Sequence, residues 1–591
     1  MNKHFEKTID FIVKYHAGII LIAVYASLAA ALCVFSSGEL FYRLSFETGE
    51  VGNYDSYLYF TVGHGFAEGV PLYSGMYENK GPMIFILSAL SYKLFGNFRM
   101  MNFLSFTSFV TVLVLPAVFC SVAAVKHKTK WFVLVPAMIC ATGASILFVD
   151  FSQNNCEAVQ VEIFGSAACL IALICSYLTD FGKPGKFYSP QVILCGAFTA
   201  VSALFKEPFA LLCAAGILLM CHKKEDLIYR VLFPAMWCAA TFVIVLVATG
   251  SFVPYFTVYI NNMLSTHVTK YGSPFERALD VTKVFNYYGN FSDLLPVVIV
   301  FAAALTVVRE ILFHYSDSVV VNVILKSVCA LKPAVVLFTG TFAVGLGGQY
   351  YNHHYVFFIP VVYAFMMCAT DLMLSREAIF PGVKELKKAF SAQSGLSAPD
   401  EKTDATDNEK PVTEKLAAEK SSLTLFAKLY VLPLLIIAVC LECFAATRTP
   451  TPAYEAYKTV VTRSAEVKEH AAYIDEVLDI VGEDTYLWMG FNGYIPTAYT
   501  KHLPSGPCFA QDANNFAEAD TYFATQFKRQ LKSANVIVYS RLNVGALGEY
   551  ASTYVKNNFT TEKPASLASA DITAPESLRF IIYYRKTAFE F

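Results

Sequence analysis

The sequence is poor in charged residues. Asp, Glu, Lys and Arg make up only 16% of its 591 residues, whereas an average soluble domain has about 25%. Hydrophobic residues make up 55%, and the mean hydropathy is +0.47. This composition excludes an ordinary soluble protein and predicts a polytopic membrane protein.

The sequence also lacks a basic excess, since its formal net charge is −2. Nothing therefore indicates a nucleic-acid partner. Nearly all of the fifteen cysteines lie in apolar runs, where they act as small apolar residues. They indicate neither a disulfide framework nor a zinc cluster.

The polar segment 1–16 has no clear cleavage site after it, and the next apolar run is too long for a signal peptide, so we expect a retained first span.

Long apolar runs are abundant. A helix needs about 20 apolar residues to cross the hydrocarbon core, and about eleven stretches approach this length, two of them short. These predicted spans are 17–37, 101–125, 131–151, 158–178, 187–205, 208–221, 231–250, 294–313, 333–347, 355–374 and 426–446.

Lys and Arg in the short loops predict the orientation. If the N-terminus is cytoplasmic, the basic segments 126–130 and 222–224 fall on the cytoplasmic side. This arrangement requires that 81–96 is not a span but a helix in the outer interface. Counting it as a span would invert every later loop. The first loop and the chain after residue 447 then lie outside, in a multi-pass protein of the plasma membrane.

The C-terminal part has the composition of a soluble domain. One helical face carries Ile474, Val477, Leu478 and Val481,. The segments TYLWMGF, ANVIVYS and RFIIYYR are typical of buried strands. The predicted fold class is a polytopic α-helical membrane protein with interfacial helices in the first outer loop and a small extracytoplasmic α/β domain. The predicted units are a transmembrane module (1–374), a disordered cytoplasmic linker (375–425), a last span (426–446) and the outer domain (447–591).

The first outer loop combines charge with many glycines and prolines. Asp55 opens the first of its predicted short helices, and Glu78 and Lys80 follow in the segment ENKGPM. The glycines and prolines are expected to divide it into short interfacial helices and turns.

These motifs resemble the GT-C glycosyltransferases, especially the protein O-mannosyltransferases and the bacterial aminoarabinose transferases. Those enzymes have an acid at the start of the first outer loop. A G-x-x-x-x-G-x-P-Y-like segment follows, and then K-P-P-L or K-G-P-L leading to L-F-G. This chain has Asp55, GHGFAEGVPLY (63–73), ENKGPM (78–83) and KLFG (93–96).

Three weaker elements extend the resemblance over most of the chain. They are LFKEP (204–208), NHHYVFFIP (352–360) and DTYLWMGFNGYIPTAY (484–499). Two residues depart from the pattern: Met83 stands where Leu is usual, and Gly81 stands where the first Pro of the pair is found.

The resemblance implies a GT-C-like fold and transfer of a sugar from a polyprenyl-phosphate donor to an outer acceptor, which is a glycan, a lipid or a protein. Asp55 would accept the proton of the acceptor, because an aspartate is normally ionised at neutral pH. Lys80 would stabilise the negative charge on the leaving phosphate. Lys206 and Arg99 are the alternative candidates for this role.

The resemblance assigns further residues less sharply. Glu78 would orient Lys80 or contact the sugar, and His353 occupies the place of the family's histidine near the donor phosphate. A second acid is expected after the third span. Asp150, Glu157 and Glu162 compete for that role, and Glu157 is our choice.

Each assignment has a structural alternative. Asp55 is also a typical helix N-cap, and Lys80 can anchor at lipid headgroups. Lys206 and Glu207 are expected to form an ion pair with each other. For His353 the alternative to a donor-phosphate role is structural hydrogen bonding. Because His353 and His354 are adjacent on a helix, we do not expect them to ligate a metal jointly. The motifs specify no certain cofactor, and the need for a divalent cation stays open.

A transporter or flippase of lipid-linked sugars is the main alternative function. Such a protein should hide ionisable residues in mid-span, whereas here the acids and lysines concentrate on one side. A non-catalytic scaffold would need no such cluster. The sugar, the acceptor and the oligomeric state are not specified by the motifs.

Overall fold

The structure is a computed structural model. It describes residues 54–126, 159–179, 187–264, 273–280, 318–346, 352–374, 453–489, 496–506, 522–540 and 548–591, with the pairs 303–304, 306–307, 310–311 and 315–316. The predicted spans 17–37, 131–151 and 426–446 and the predicted linker 375–425 lie outside these residues.

The described membrane portion is helical. Its longer helices are α1 (Tyr54–Ala67), α2 (Pro82–Phe95), α3 (Arg99–Lys126), α4 (Val161–Leu178), α5 (Pro190–Phe205), α6 (Pro208–Leu219), α7 (Lys224–Ala248, π-helical over Leu227–Leu232), α8 (Val319–Cys329), α9 (Lys332–Gly345) and α10 (Phe358–Leu374). Shorter helical segments lie at Phe252–Pro254, Tyr255–Ile260 and Pro274–Leu279.

Within the described residues, four helical segments are long and apolar enough to cross a membrane. They are Arg99–Ala123 of α3, α4, α7 and the segment Val319–Gly345 formed by α8 and α9. Helix α8 was not predicted, because Asn322 and Lys326 interrupt its apolar run. The total of about eleven spans stays a prediction.

Helix α2 occupies the segment that we predicted to lie in the interface. Its 14 residues rise about 1.5 Å each and reach about 21 Å, short of a hydrocarbon core of about 30 Å. It ends at Gly96, which has φ 63° and donates its N–H to the Tyr92 carbonyl. The length of the helix is therefore compatible with an interfacial position.

Helix α4 is the centre of the bundle. Of its residues, 89% are buried, and it packs against α3, α5, α6 and α10. At Gly165 a Cβ would lie 2.2 Å from the Phe209 ring, so a small residue is required for α4 to meet α6 closely. Helix α7 and Val319–Gly345 are only 11% and 17% buried, and their exposed apolar side chains suit contact with lipid.

The C-terminal part folds as an α/β unit. Its longer helices are α11 (Ala453–Val481), α12 (Tyr522–Ser533) and α13 (Glu549–Asn558), with a short helix at Ala565–Ala568, and its strands are β1 (Thr485–Met489), β2 (Leu503–Pro504), β3 (Val536–Ser540), β4 (Phe559–Thr560) and β5 (Phe580–Arg585). The strand order is β2-β1-β3-β5-β4. β1 is parallel to β2 and β3, whereas β5 is antiparallel to β3 and β4.

The three predicted strands are the three long strands of this sheet. The strands β2 and β4 have only two residues each, too few to leave a pattern in the sequence. The predicted helical face of α11 packs on the sheet through Ile474, Val477 and Leu478, which are fully buried.

The C-terminal unit rests on α1. Thr61 and Thr497 share a hydrogen bond of 2.9 Å between their hydroxyls, and the Tyr57 and Tyr499 ring centroids are 6.2 Å apart. The first loop and this unit therefore lie at the same end of the described bundle. Which side faces the cytoplasm stays a prediction.

Candidate active site

Five separate segments meet at one end of the helical bundle. They are the start of α1, the loop between α1 and α2, the start of α4, the junction of α5 with α6, and the 3-10 helix Asn352–Phe357 before α10. Together they assemble a set of side chains that we call the polar cluster: Asp55, Glu78, Lys80, Gln160, Glu162, Lys206, His353 and His354.

The shortest charged contact of the polar cluster joins α4 to the α5–α6 junction. Glu162, the second residue of α4, has no exposed surface, and its Oε1 lies 2.5 Å from Lys206 Nζ. Lys206 adopts an extended backbone directly after α5, which ends the helix and turns the side chain towards α4. Burial lowers the pKa of Lys206, although Glu162 opposes this effect.

Glu207 has a different environment from its neighbour Lys206. Its Oε1 accepts a hydrogen bond of 3.0 Å from Tyr255 Oη, and burial raises its pKa. The expectation that Lys206 and Glu207 pair with each other was therefore wrong: the short ion pair of Lys206 is with Glu162, because consecutive side chains at a helix junction point in different directions.

Asp55 lies in the first turn of α1 and is partly exposed. Its Oδ2 accepts hydrogen bonds from Tyr59 Oη at 3.4 Å and Gln160 Nε2 at 3.5 Å. The unpaired backbone N–H groups at a helix N-terminus favour a negative charge at this position. The carboxylate is thus oriented from two segments while keeping access to solvent.

Lys80 lies between acidic groups and retains 14% side-chain exposure. Its Nζ donates to Asn79 Oδ1 at 3.1 Å and lies 3.9 Å from Glu78 Oε1. Burial raises the pKa of Glu78, while the charge of Lys80 opposes that rise. Lys80 also acts electrostatically on Lys206 and His353, so both lysines belong to one charged region.

Two residues beside the polar cluster have a left-handed backbone that L-residues seldom adopt. Tyr73 has φ 67° and Val159 has φ 65°, and no other non-glycine residue of the described chain has positive φ. The Tyr73 hydroxyl donates to the Lys80 carbonyl at 3.0 Å, and the Val159 N–H donates to Ser105 Oγ at 2.9 Å. Such strain costs about 1–3 kcal/mol and persists only where surrounding contacts enforce it.

Gly81 explains one departure from the family pattern. A Cβ at this position would lie 2.1 Å from the Leu204 carbonyl oxygen, a distance that real Cβ atoms do not tolerate. The absence of a side chain therefore lets the segment that carries Lys80 lie directly on the segment that carries Lys206.

His353 and His354 both approach Glu162. Each Nε2 lies 3.9 Å from Glu162 Oε1, and the two rings are nearly perpendicular, at 87°, with centroids 4.6 Å apart. The two rings point in different directions, as expected for adjacent residues, and both still reach the same carboxylate. One ligand atom from each of the three residues lies within 4.8 Å of the others.

The structure brings together most of the site residues named from the sequence. Asp55, Glu78, Lys80, Lys206 and His353 all belong to the polar cluster, whereas Glu157 lies outside the described residues. Arg99 lies on the exposed start of α3.

Other members of the polar cluster were not chosen from the sequence. Gln160 and His354 were not proposed for the site, and Glu162 was considered but passed over. The sequence did contain a signal for Glu162, because its carboxylate lies near the start of a long apolar run. A carboxylate is rarely buried without a partner, so its position indicates a paired or functional group.

Comparison with solved structures gives several similar chains, among them two structures of one protein. No protein-family model and no curated protein matches the chain. The structure of ArnT from Cupriavidus metallidurans bound to undecaprenyl phosphate is similar over 96% of this chain and 97% of that one, with 13% identity and a TM-score of 0.45. The apo structure of the same protein is similar over 98% of both chains, with 12% identity and a TM-score of 0.37. These structures come from the aminoarabinose transferases named in the sequence resemblance.

The Glu162–Lys206 ion pair predicts a non-additive mutant cycle. Lys206→Met leaves a buried carboxylate without its cation and should reduce the free energy of unfolding by about 3–5 kcal/mol. The double variant Glu162→Gln/Lys206→Met should recover most of that loss. Thermal unfolding of the purified protein in detergent measures both, and losses that simply add would contradict the pairing.

Gly81→Ala tests the close approach of the two lysine-bearing segments. The added Cβ should reduce the free energy of unfolding by about 1–3 kcal/mol, because backbone atoms must move. Ser74→Ala, in the exposed part of the same loop, is the matched control and should unfold like wild type. Equal unfolding midpoints for the two variants would show that the segments are not in tight contact.

Proposed function

We propose that the chain is an integral membrane glycosyltransferase that transfers a sugar from a polyprenyl-phosphate donor to an acceptor on the outer face of the membrane. The observation that carries the proposal is the joint presence of an accessible carboxylate, Asp55, and two lysines, Lys80 and Lys206, in one polar cluster at the end of the bundle. The donor class is the one that the sequence resemblance implies.

Asp55 is the general base of the proposed reaction. The acceptor hydroxyl attacks the anomeric carbon, and its proton passes to the Asp55 carboxylate as the new glycosidic bond forms. Tyr59 and Gln160 hold Oδ2, so the base is positioned before the acceptor arrives. General-base assistance of this kind is typically about 10²–10⁴-fold.

Lys80 and Lys206 stabilise the departing phosphate. The bond between the anomeric carbon and the phosphate oxygen breaks, and negative charge increases on that oxygen. Cations fixed beside it act most strongly in the transition state. Lys80 is the main candidate, because Lys206 is already committed to Glu162 at 2.5 Å, while Glu78 and Asn79 orient Lys80.

A single in-line displacement of this kind inverts the anomeric centre. NMR assignment of the anomeric proton in donor and product tests this step. The same anomer in both would require a covalent intermediate and a different role for Asp55.

The position of the charges disfavours a transporter. The described helices α4, α5 and α6 contain a single ionisable carboxylate, Glu162, and it lies at a helix end. Lys332 and Glu310, 3.6 Å apart, lie at the opposite end of the bundle, beside Cys221. A translocation path would need ionisable groups between the two ends.

Asp55→Asn should lower the rate of sugar transfer by about 10²–10⁴-fold, with little change in the KM for the donor. The amide keeps the size of the carboxylate but cannot accept the proton. Transfer from labelled lipid-linked sugar in membranes measures the rate at matched protein level. Asp479→Asn, on the exposed surface of α11, is the control, and normal turnover in Asp55→Asn would remove this residue from the mechanism.

Lys80→Ala should raise the KM for the donor about 10- to 100-fold, since a hydrogen bond to a charged group contributes about 1.5–3 kcal/mol. The KM for the acceptor should not change. Lys93→Ala is the matched control, because Lys93 is exposed near the end of α2 and does not belong to the polar cluster. If both variants behave alike, Lys80 has an anchoring role rather than a phosphate-binding one.

A further inference from the structure

We propose that a set of four side chains positions the main chain of Lys80, so that its ammonium group faces the donor phosphate. The set, which we call the tyrosine support, consists of Tyr73, Tyr255, Tyr259 and Glu207. Its members come from the loop between α1 and α2, from a short helical segment after α7 and from the junction of α5 with α6. Their effect on the reaction rests on the proposed function, because that proposal gives Lys80 its role.

Tyr73 holds the main chain from which the Lys80 side chain projects. Its hydroxyl donates to the Lys80 carbonyl oxygen at 3.0 Å. Glu78 and Asn79 contact the ammonium group instead, so the two ends of the lysine are held by different residues. Because a lysine side chain is long and flexible, its ammonium group can be directed only if the main chain beneath it is fixed.

The backbone of Tyr73 is itself unfavourable and must be enforced by its surroundings. Its φ of 67° lies in a region that bulky L-residues seldom adopt. The Tyr73 N–H donates to the Met76 carbonyl at 2.8 Å, which closes a tight turn, and the side chain is buried. Strain of this kind is concentrated at functional sites. Here it accompanies a hydroxyl that reaches Lys80.

The ring of Tyr73 packs on the two other tyrosines of the support. Its centroid lies 4.9 Å from that of Tyr259, with the ring planes 27° apart. It lies 6.0 Å from the centroid of Tyr255, with the planes 68° apart. Aromatic pairs prefer such stacked and edge-to-face arrangements. A change in the direction of the Tyr73 ring would break both contacts, so the direction of its hydroxyl is fixed.

Glu207 holds these two tyrosines in place. Tyr255 Oη donates to Glu207 Oε1 at 3.0 Å, and the Tyr259 hydroxyl is also hydrogen-bonded to Glu207. Both tyrosines belong to the π-helical turn Tyr255–Ile260, and such turns are frequent at functional sites. Because Glu207 directly follows Lys206, one helix junction supports both lysines of the proposed site.

Tyr73→Phe removes the hydrogen bond to Lys80 and keeps the aromatic ring. We expect the KM for the donor to rise about 3- to 10-fold, as for the loss of a neutral hydrogen bond, while the KM for the acceptor does not change. Tyr363→Phe is the matched control, because the Tyr363 hydroxyl also donates to a main-chain carbonyl, that of Val112 at 2.5 Å, outside the polar cluster. Equal donor KM values in the two variants would overturn the proposal.

A double-mutant cycle tests whether Tyr73 acts through Lys80. In Lys80→Ala the side chain to be positioned is absent, so the addition of Tyr73→Phe should leave the donor KM of Lys80→Ala unchanged. The same fold rise in both backgrounds would mean that Tyr73 affects the donor independently of Lys80, which also overturns the proposal.

Lys80 can be observed without any donor. In the full chain, reductively ¹³C-methylated in detergent, the NMR resonance of Lys80 is identified by its loss in Lys80→Arg. We expect its chemical shift to change in Tyr73→Phe and in Tyr255→Phe but not in Tyr363→Phe. Tyr255→Phe carries the test alone if Tyr73→Phe does not fold. A resonance that stays unchanged in every folded variant of the support contradicts a positioning role.

The outcomes separate this proposal from the proposed function. A Lys80 resonance that shifts in a protein that transfers no sugar leaves the positioning role intact and removes the glycosyltransferase proposal. Sugar transfer by Tyr73→Phe with the wild-type donor KM and an unshifted Lys80 resonance has the opposite meaning.

Discussion

The buried ion pair between Glu162 and Lys206 fixes the arrangement on which the rest of the polar cluster depends. It ties the start of α4, the most buried helix of the bundle, to the junction of α5 and α6. Removing two charges from water is favourable only when their geometry is held closely, so the pair constrains the ends of three helices at once. Lys80 and His353 are then placed by their packing against these ends.

Close backbone contact and local strain hold the same region together. Gly81 lets the loop with Lys80 lie on the Leu204 carbonyl, and Tyr73 and Val159 keep left-handed backbones beside it. The left-handed backbones of Tyr73 and Val159 lower stability locally, and contacts of the surrounding packed residues enforce them,. The pattern is typical of a region whose geometry is constrained by function rather than by folding alone.

The C-terminal unit extends the same end of the protein. Its contacts to α1 through Thr497 and Tyr499 place a folded domain beside the polar cluster, while the exposed apolar faces of α7 and Val319–Gly345 lie along the bundle. A lipid-linked donor and a polar acceptor would need this combination, because one substrate approaches from the bilayer and the other from water.

The sequence by itself determined the class of the protein, most of the described spans, the long strands and the segments that carry Asp55, Lys80, Lys206 and His353. These features follow from composition, local periodicity and loop position, which short-range physics controls. Only the tertiary structure decided that Lys206 pairs with Glu162, that both histidines reach the same carboxylate, and that Gly81 allows a backbone contact. Glu162 and Lys206 are 44 residues apart, and such pairings depend on how whole helices pack, which no local pattern records.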